Sequence, residues 1–404
     1  MPSRGTLSAL ALTAAIAALA CGELFTEPPL DGDVFDAPVP GLTAAEMAAF
    51  ARGDAEFSRR FAPNTGLGPI FNNTSCFSCH SGDGRGRLDN SLQRVGSAGD
   101  DFLGHLGGPQ IQDKAIPGAE FERVPEGVAV SLRLPPPVFG VGLIEAIPAS
   151  AILANADPDD ADGDGISGRP NLVTSPDFVP ATEPGGGSGQ HLGRFGRKAQ
   201  VSGLLQQVLE AYLQDIGVTS DFLPLENRNP LSSVPIEAAD PVADPEIPAS
   251  VVQATVHYIR TLAPPAPGAM TPRREEGRQL FTTVGCASCH LPTLRTGEHP
   301  IRALANQDVT LYSDLLLHDM GDALADNRPD GGATGREWRT TPLWGLRLMR
   351  QFLNGQAFLL HDGRAGSVEE AILLHGGEAQ RARDAFAALT PEQRAALLDF
   401  VESR

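Results

Sequence analysis

NNTSCFSCHSGDGRG, residues 72–86, and VGCASCHLPTLRTG, residues 284–297, each place two cysteines and a histidine in the pattern C-x-x-C-H. On one helical turn that spacing brings two thiols and an imidazole to the same side. Both thiols can then bond the vinyl groups of a haem while the imidazole binds its iron. Zinc would need further Cys or His pairs at suitable spacing, and these are missing. A thioredoxin-type dithiol would want a βαβ setting and has no need of the histidine. Two matches in one chain are too many for chance. Two covalently bound c-type haems are therefore expected, attached through Cys76 and Cys79 and through Cys286 and Cys289, with His80 and His290 as proximal iron ligands.

The rest of the composition fits an exported globular protein. The 404 residues suffice for two or three domains with proper cores, and an apolar content of 41% is ordinary for a folded chain. Glycine (44) and proline (34) are abundant, so long ordered loops should surround a modest set of helices. A net charge of −19 argues against a nucleic-acid partner, which would need a basic surface. The same charge would aid solubility, or steer a basic electron-carrier protein toward the chain. Residues 1–21 read as a signal peptide, with one arginine before an apolar run too short to be a stable span. Its end, ALAC, is similar to a lipoprotein box in which Cys21 would be lipidated, and ordinary cleavage nearby is the alternative. A membrane-tethered protein on the periplasmic or cell-surface side follows. No cysteine is left over for a disulfide.

Residues 22–42 are rich in Pro and Asp and read as a tether. A capping box, Thr43 with Glu46, opens a helix expected to run to about Phe61. Val252, Val256 and Ile259 lie at helical spacing in 248–262. The last helix has Thr390 as N-cap, Pro391 at its first position and Gln393 closing a capping box. Between them, 82–130, 156–200 and 220–247 read as ordered loops. An internal repeat divides the chain. GDAEF (53–57) echoes GRQLF (277–281), and PVFGVGL (137–143) echoes PLWGLRL (342–348). The expected units are 43–265 and 266–404, joined by the linker APPAPGAMTP.

Haem attachment alone does not set an activity, because the sixth ligand decides between electron transfer and reaction with peroxide or O₂. Here longer motifs help. EWRTTPLWGL and FLLHDGRAGSVEEAILLHGGEA resemble the second half of the bacterial di-haem cytochrome c peroxidases and MauG-type oxidases. FNNTSCFSCHSGDGRG, ADGDGISGRPN, LGRFG and DLLLHDMG are similar to the di-haem oxidoreductase branch of that superfamily, over nearly the whole chain beyond residue 45. The resemblance implies a mainly α fold of two cytochrome c-like domains. It places His375 at the position of the second haem's distal ligand, with Met320 as a rival. His318 and His361 match positions near that haem and read as hydrogen-bonding or packing residues. Arg197 stands where an aromatic is expected.

Aligning SAILAN (150–155) with EAILLH (370–375) sets Asn155 opposite His375, which suggests an open first haem and a closed second one. The resemblance implies an enzyme that reduces hydrogen peroxide at the first haem, with electrons from a small cytochrome or copper protein relayed through the second. A protein-modifying oxidase and a plain electron carrier are the alternatives. Peroxide cleavage needs an acid–base group, for which Glu145 is the candidate, and Arg133 is placed to stabilise developing charge. Asp160, Asp162 and Asp164 have the spacing of a calcium loop, though Asn171 takes the position of the usual closing glutamate.

Overall fold

The computed structural model describes residues 34–80, 82, 84–235 and 239–404. The signal peptide, Cys21 and most of the tether lie outside those residues. No helix among the described residues is long and apolar enough to cross a membrane. The chain is mainly α. In order, the helices are α1 (Ala44–Ser58), α2 (Cys76–Cys79), α3 (Val141–Ala146), α4 (Ala149–Leu153), α5 (Leu204–Ala211), α6 (Ala249–Arg260), α7 (Pro272–Thr283), α8 (Leu346–Phe352), α9 (Val368–Leu373), α10 (Gln380–Ala387) and α11 (Pro391–Glu402).

The helix starts follow their capping chemistry. Thr43 Oγ1 accepts from the Glu46 N–H at 3.3 Å, while Glu46 Oε2 accepts from the Thr43 N–H at 2.7 Å. Thr390 and Gln393 make the same reciprocal pair at α11. α1 ends at Ser58, three residues before the expected Phe61. α5, which the sequence pattern did not place, buries Leu204, Leu205, Val208 and Leu209 and continues into a π turn at Tyr212–Ile216. The regions expected as loops hold short antiparallel strands. Leu92–Arg94 pairs with both Gln110–Ile111 and Ser131–Arg133, and Leu172–Thr174 pairs with Gln190–Leu192. Strands of two or three residues are too short for alternation to show in sequence.

Two helix pairs give the repeat its physical form: α1 packs on α6, and α7 packs on α11. At each crossing a glycine lets the backbones touch. A Cβ at Gly53 would sit 2.2 Å from the Ala254 carbonyl oxygen, and one at Gly277 would sit 2.1 Å from that of Ala396. Four residues on, Phe57 and Phe281 lie 6.2 and 6.3 Å from the rings of His80 and His290. The same two rings meet Tyr258 and Phe400 at 5.4 and 5.6 Å. GDAEF and GRQLF are thus one device used twice: a close helix crossing, then an aromatic beside the histidine of C-x-x-C-H.

The second repeated block joins the halves. Gly140 and Gly345 start α3 and α8 with left-handed φ of +73° and +70°. A Cβ at Gly140 would fall 2.0 Å from the Trp344 ring, and one at Gly345 would fall 2.6 Å from the Phe139 ring. Each copy lays its aromatic on the other copy's glycine, the pattern of a two-fold contact. The largest core accordingly crosses the 265/266 boundary. It combines Phe57, Leu205, Tyr212 and Val256 with Leu294, Val309, Leu316 and Leu348. A smaller core of Phe281, Phe386, Leu397 and Phe400 belongs to the second half alone.

Candidate haem sites

The first C-x-x-C-H opens with Ser75, whose hydroxyl accepts from the Ser78 N–H at 3.1 Å and caps α2. The His80 Nδ1 lies 2.8 Å from the Pro136 carbonyl. The Cys79 sulfur accepts from the Asn73 side chain at 3.3 Å. Gly86 closes the stretch against Pro135, and its backbone N–H donates to the Pro135 carbonyl at 3.0 Å. Burial pushes the His80 imidazole down to about 4, against the pull of the Pro136 and Gly84 carbonyls. Ser81 and Asp83 lie outside the described residues.

The second site repeats this with different partners. Cys286–Ser288 forms a 3₁₀ turn, and the His290 Nδ1 lies 2.9 Å from the Tyr312 carbonyl. Burial lowers this imidazole to about 4, opposed by the same carbonyl. A carbonyl at Nδ1 keeps the proton there and leaves the Nε2 lone pair for a metal. Beside Cys286, Cys289 and His290 lies a cavity of about 560 Å³, the size range of a cofactor pocket. His375 lines that cavity, and its Nδ1 lies 2.7 Å from the Ala371 carbonyl four residues back. The site therefore offers two thiols and two imidazoles with Nδ1 already bound. That donor set fits a haem. Met320, the rival ligand, lines the same cavity.

His318 is otherwise engaged. Its Nε2 lies 2.8 Å from Asp314 and its Nδ1 2.7 Å from Glu378, with the Cys289 sulfur at 3.6 Å. Burial opposes the charge, yet Asp314, Cys289 and Glu378 outweigh it and hold the imidazole well above its ordinary value. Glu378 in turn is pulled down to about 2, because His318, Ser167 and the Asp319 N–H outweigh its burial. His361 stacks face to face on Trp338, with ring centroids 3.7 Å apart. Burial drives it to about 3, aided by Arg133, Arg364 and Arg197 against the pull of Asp362. Trp338 lines the cavity wall together with Arg197, so an aromatic is present there although position 197 lacks one. The EWRTT motif contains Trp338, but nothing in its spacing reveals the stacking.

Glu145 and Arg133 are each held in an ion pair. Both Glu145 oxygens are taken. Oε2 accepts from Arg260 at 2.6 Å, and Oε1 accepts from the Leu204 N–H at the start of α5 at 2.8 Å. Arg133 donates to Asp326 at 2.7 Å and to Ser131 at 2.6 Å, and lies 3.8 Å from Asp330. Lys198, fully buried, pairs with the same Asp326 at 2.8 Å. Arg133 therefore stitches the halves together, and neither it nor Glu145 lines the 560 Å³ cavity. In the acidic loop, Asp160 and Asp162 converge with Asp157. Asp164 does not join them; it lines the 560 Å³ cavity, and its carboxylate accepts from the Ile166 N–H at 2.8 Å. The loop ends at Ser167, whose hydroxyl donates to Glu378 at 2.7 Å.

A family model described as "Di-haem oxidoreductase, putative peroxidase" matches residues 28–96 and 120–404. The chain belongs to this family of di-haem oxidoreductases, which implies haem as its cofactor. Two solved structures align loosely at 14% identity and a TM-score of 0.39. One is Kuenenia stuttgartiensis hydrazine synthase pressurised with xenon, aligned over 94% of this chain and 93% of that one. The other is a MauG-like protein associated with microbial copper homeostasis, over 94% and 95%. A score that low carries nothing further to this chain. No curated protein matches it.

Proposed function

We propose that this chain is an exported, lipid-anchored oxidoreductase of two cytochrome c-like units that reduces hydrogen peroxide. Cys76 and Cys79 would hold one c-type haem with His80 on its iron, and Cys286 and Cys289 a second with His290 and His375. When bound, the haems would supply the redox chemistry, with peroxide taken at the first site and electrons stored and passed on at the second. The balance is one H₂O₂, two electrons and two protons to two waters, with a small cytochrome or copper protein oxidised in exchange. Glu145, held by Arg260, is assigned the proton transfer at the first site.

The observation that carries this reading is the inequality of two equivalent residues. Asn155 and His375 each bond the carbonyl four residues back, to Ala151 at 2.8 Å and Ala371 at 2.7 Å. His375 faces the second cavity, whereas Asn155 is exposed and is a poor iron ligand. Absorption and EPR spectra of the purified holoprotein test the reading. One high-spin and one low-spin haem are expected, with a spectral response to peroxide. His375→Ala should convert the low-spin signal to high-spin. A wholly low-spin protein that ignores peroxide in every redox state sinks the peroxidase reading and leaves an electron carrier.

A further inference from the structure

Three arginines in the wall of the second cavity make no ion pair among the described residues, although Asp164 and Glu378 line the same cavity. Arg85 and Arg197 are buried, Arg339 is partly so, and all three line the cavity. Their hydrogen-bond partners are neutral carbonyls: Phe358 and Leu360 for Arg85, Leu134 for Arg197, and Gly196 and Thr340 for Arg339. The Arg85 Nε has no partner among the described residues. Carboxylates that act on them from a distance are committed elsewhere, Asp362 to Arg364 and Asp314 to His318. Buried cations are ordinarily paired, and Arg85, Arg339 and Arg133 all work against the charge on Arg197. Elsewhere Arg133, Lys198 and Arg328 each meet Asp326 or Asp330, and Arg194 instead donates to the carbonyls of Ile144, Glu145 and Ile147. Arg85, Arg197 and Arg339 lie together in the wall of the cavity that also holds Cys286, Cys289, His290 and His375.

We propose that Arg85, Arg197 and Arg339 form a carboxylate cradle that binds the propionates of the second haem. This rests on the reading of Cys286 and Cys289 as a haem attachment site. Guanidinium forks suit planar carboxylates, and two propionates would supply the missing negative charge. Two of the three cradle residues come from the first half of the chain. The second haem would thus be gripped covalently by one repeat unit and ionically by both, mostly by the other. Arg197 stands where the family resemblance leads one to expect an aromatic, which marks the cradle as a feature of this chain's own sequence.

The test uses the purified holoprotein, with haem content measured first. Wild type, Arg85→Gln, Arg197→Gln and the charge-keeping Arg85→Lys and Arg197→Lys are compared by redox titration and by the resonance Raman propionate-bending band. Loss of a nearby positive charge disfavours the reduced haem. Each Gln variant should therefore lower the low-spin haem's potential by about 59 mV, about tenfold in the one-electron equilibrium, and shift its propionate band. The Lys variants should hold the potential but still shift the band, and they serve if a Gln variant fails to fold. An unchanged potential and band in variants that keep both haems would overturn the cradle alone. A wild-type response to added sodium acetate that the variants lose, with the propionate band unmoved, would assign the cradle to an external anion and overturn the proposal. Wild type without haem on Cys286 and Cys289 would overturn the attachment reading as well.

Discussion

Glu145 shows how much a single carboxylate can hold. It joins α3 to the start of α5 and, through Arg260, to α6 and Glu183. Glu145→Gln removes one charged partner from a buried pair and should destabilise the protein by about 1–3 kcal/mol in urea unfolding. If Glu145 also moves the proton, peroxide turnover should fall by roughly 10²–10⁴ with the haem spectrum intact. Unchanged turnover would confine it to structure. Glu378 gives a pH dependence. Its folded value of about 2 lies below the ordinary 4.5, so its stabilisation is present above 4.5 and lost as pH falls through 2. Glu378→Gln should therefore shift acid unfolding to higher pH, as followed by circular dichroism. Neither environment was legible in the sequence, because Arg260 lies 115 residues from Glu145 and His318 lies 60 from Glu378. That His375 comes to lie beside Cys286, Cys289 and His290 was legible, because a repeat and a motif coincide there.

Among the elements, what was legible was whatever is fixed by neighbours in sequence. The capping boxes at Thr43 and Thr390 were, since both partners lie three residues apart. α5 carries a stripe of Leu204, Leu205, Val208 and Leu209, but it is only eight residues long and starts at Gly203 with no side-chain cap to mark it. The helix crossings yield a sharper expectation. Gly53→Ala and Gly277→Ala would each drive a methyl into backbone 2.1–2.2 Å away. A helix pair cannot absorb that without separating. Each variant should lose about 1–3 kcal/mol or more, read as a lower thermal midpoint, despite alanine's better helix propensity.

At the scale of the molecule, the repeat predicted two units but not how they share a core. Leu294, Val309, Leu311 and Leu316 belong to the second unit by sequence and to the first by packing. Residues 43–265 expressed alone should therefore fail to give a cooperative thermal transition, whereas the full mature chain should unfold as one. Charge acts at this scale too. With −19 formal charges, electron delivery from a basic cytochrome should slow steeply as salt is raised from 10 to 200 mM, seen in stopped-flow rates of haem reduction.

The crossed contacts of Phe139 with Gly345 and Trp344 with Gly140 bear on descent. A contact that is reciprocal between two copies inside one chain is one that two separate chains could have made first. A duplicated gene for a single-haem ancestor that already paired with itself would inherit this seam ready-made at fusion. Its partners would then be obliged to change across copies rather than within them. Among descendants, a bulkier residue at position 140 should appear with a smaller one at 344, and one at 345 with a smaller one at 139.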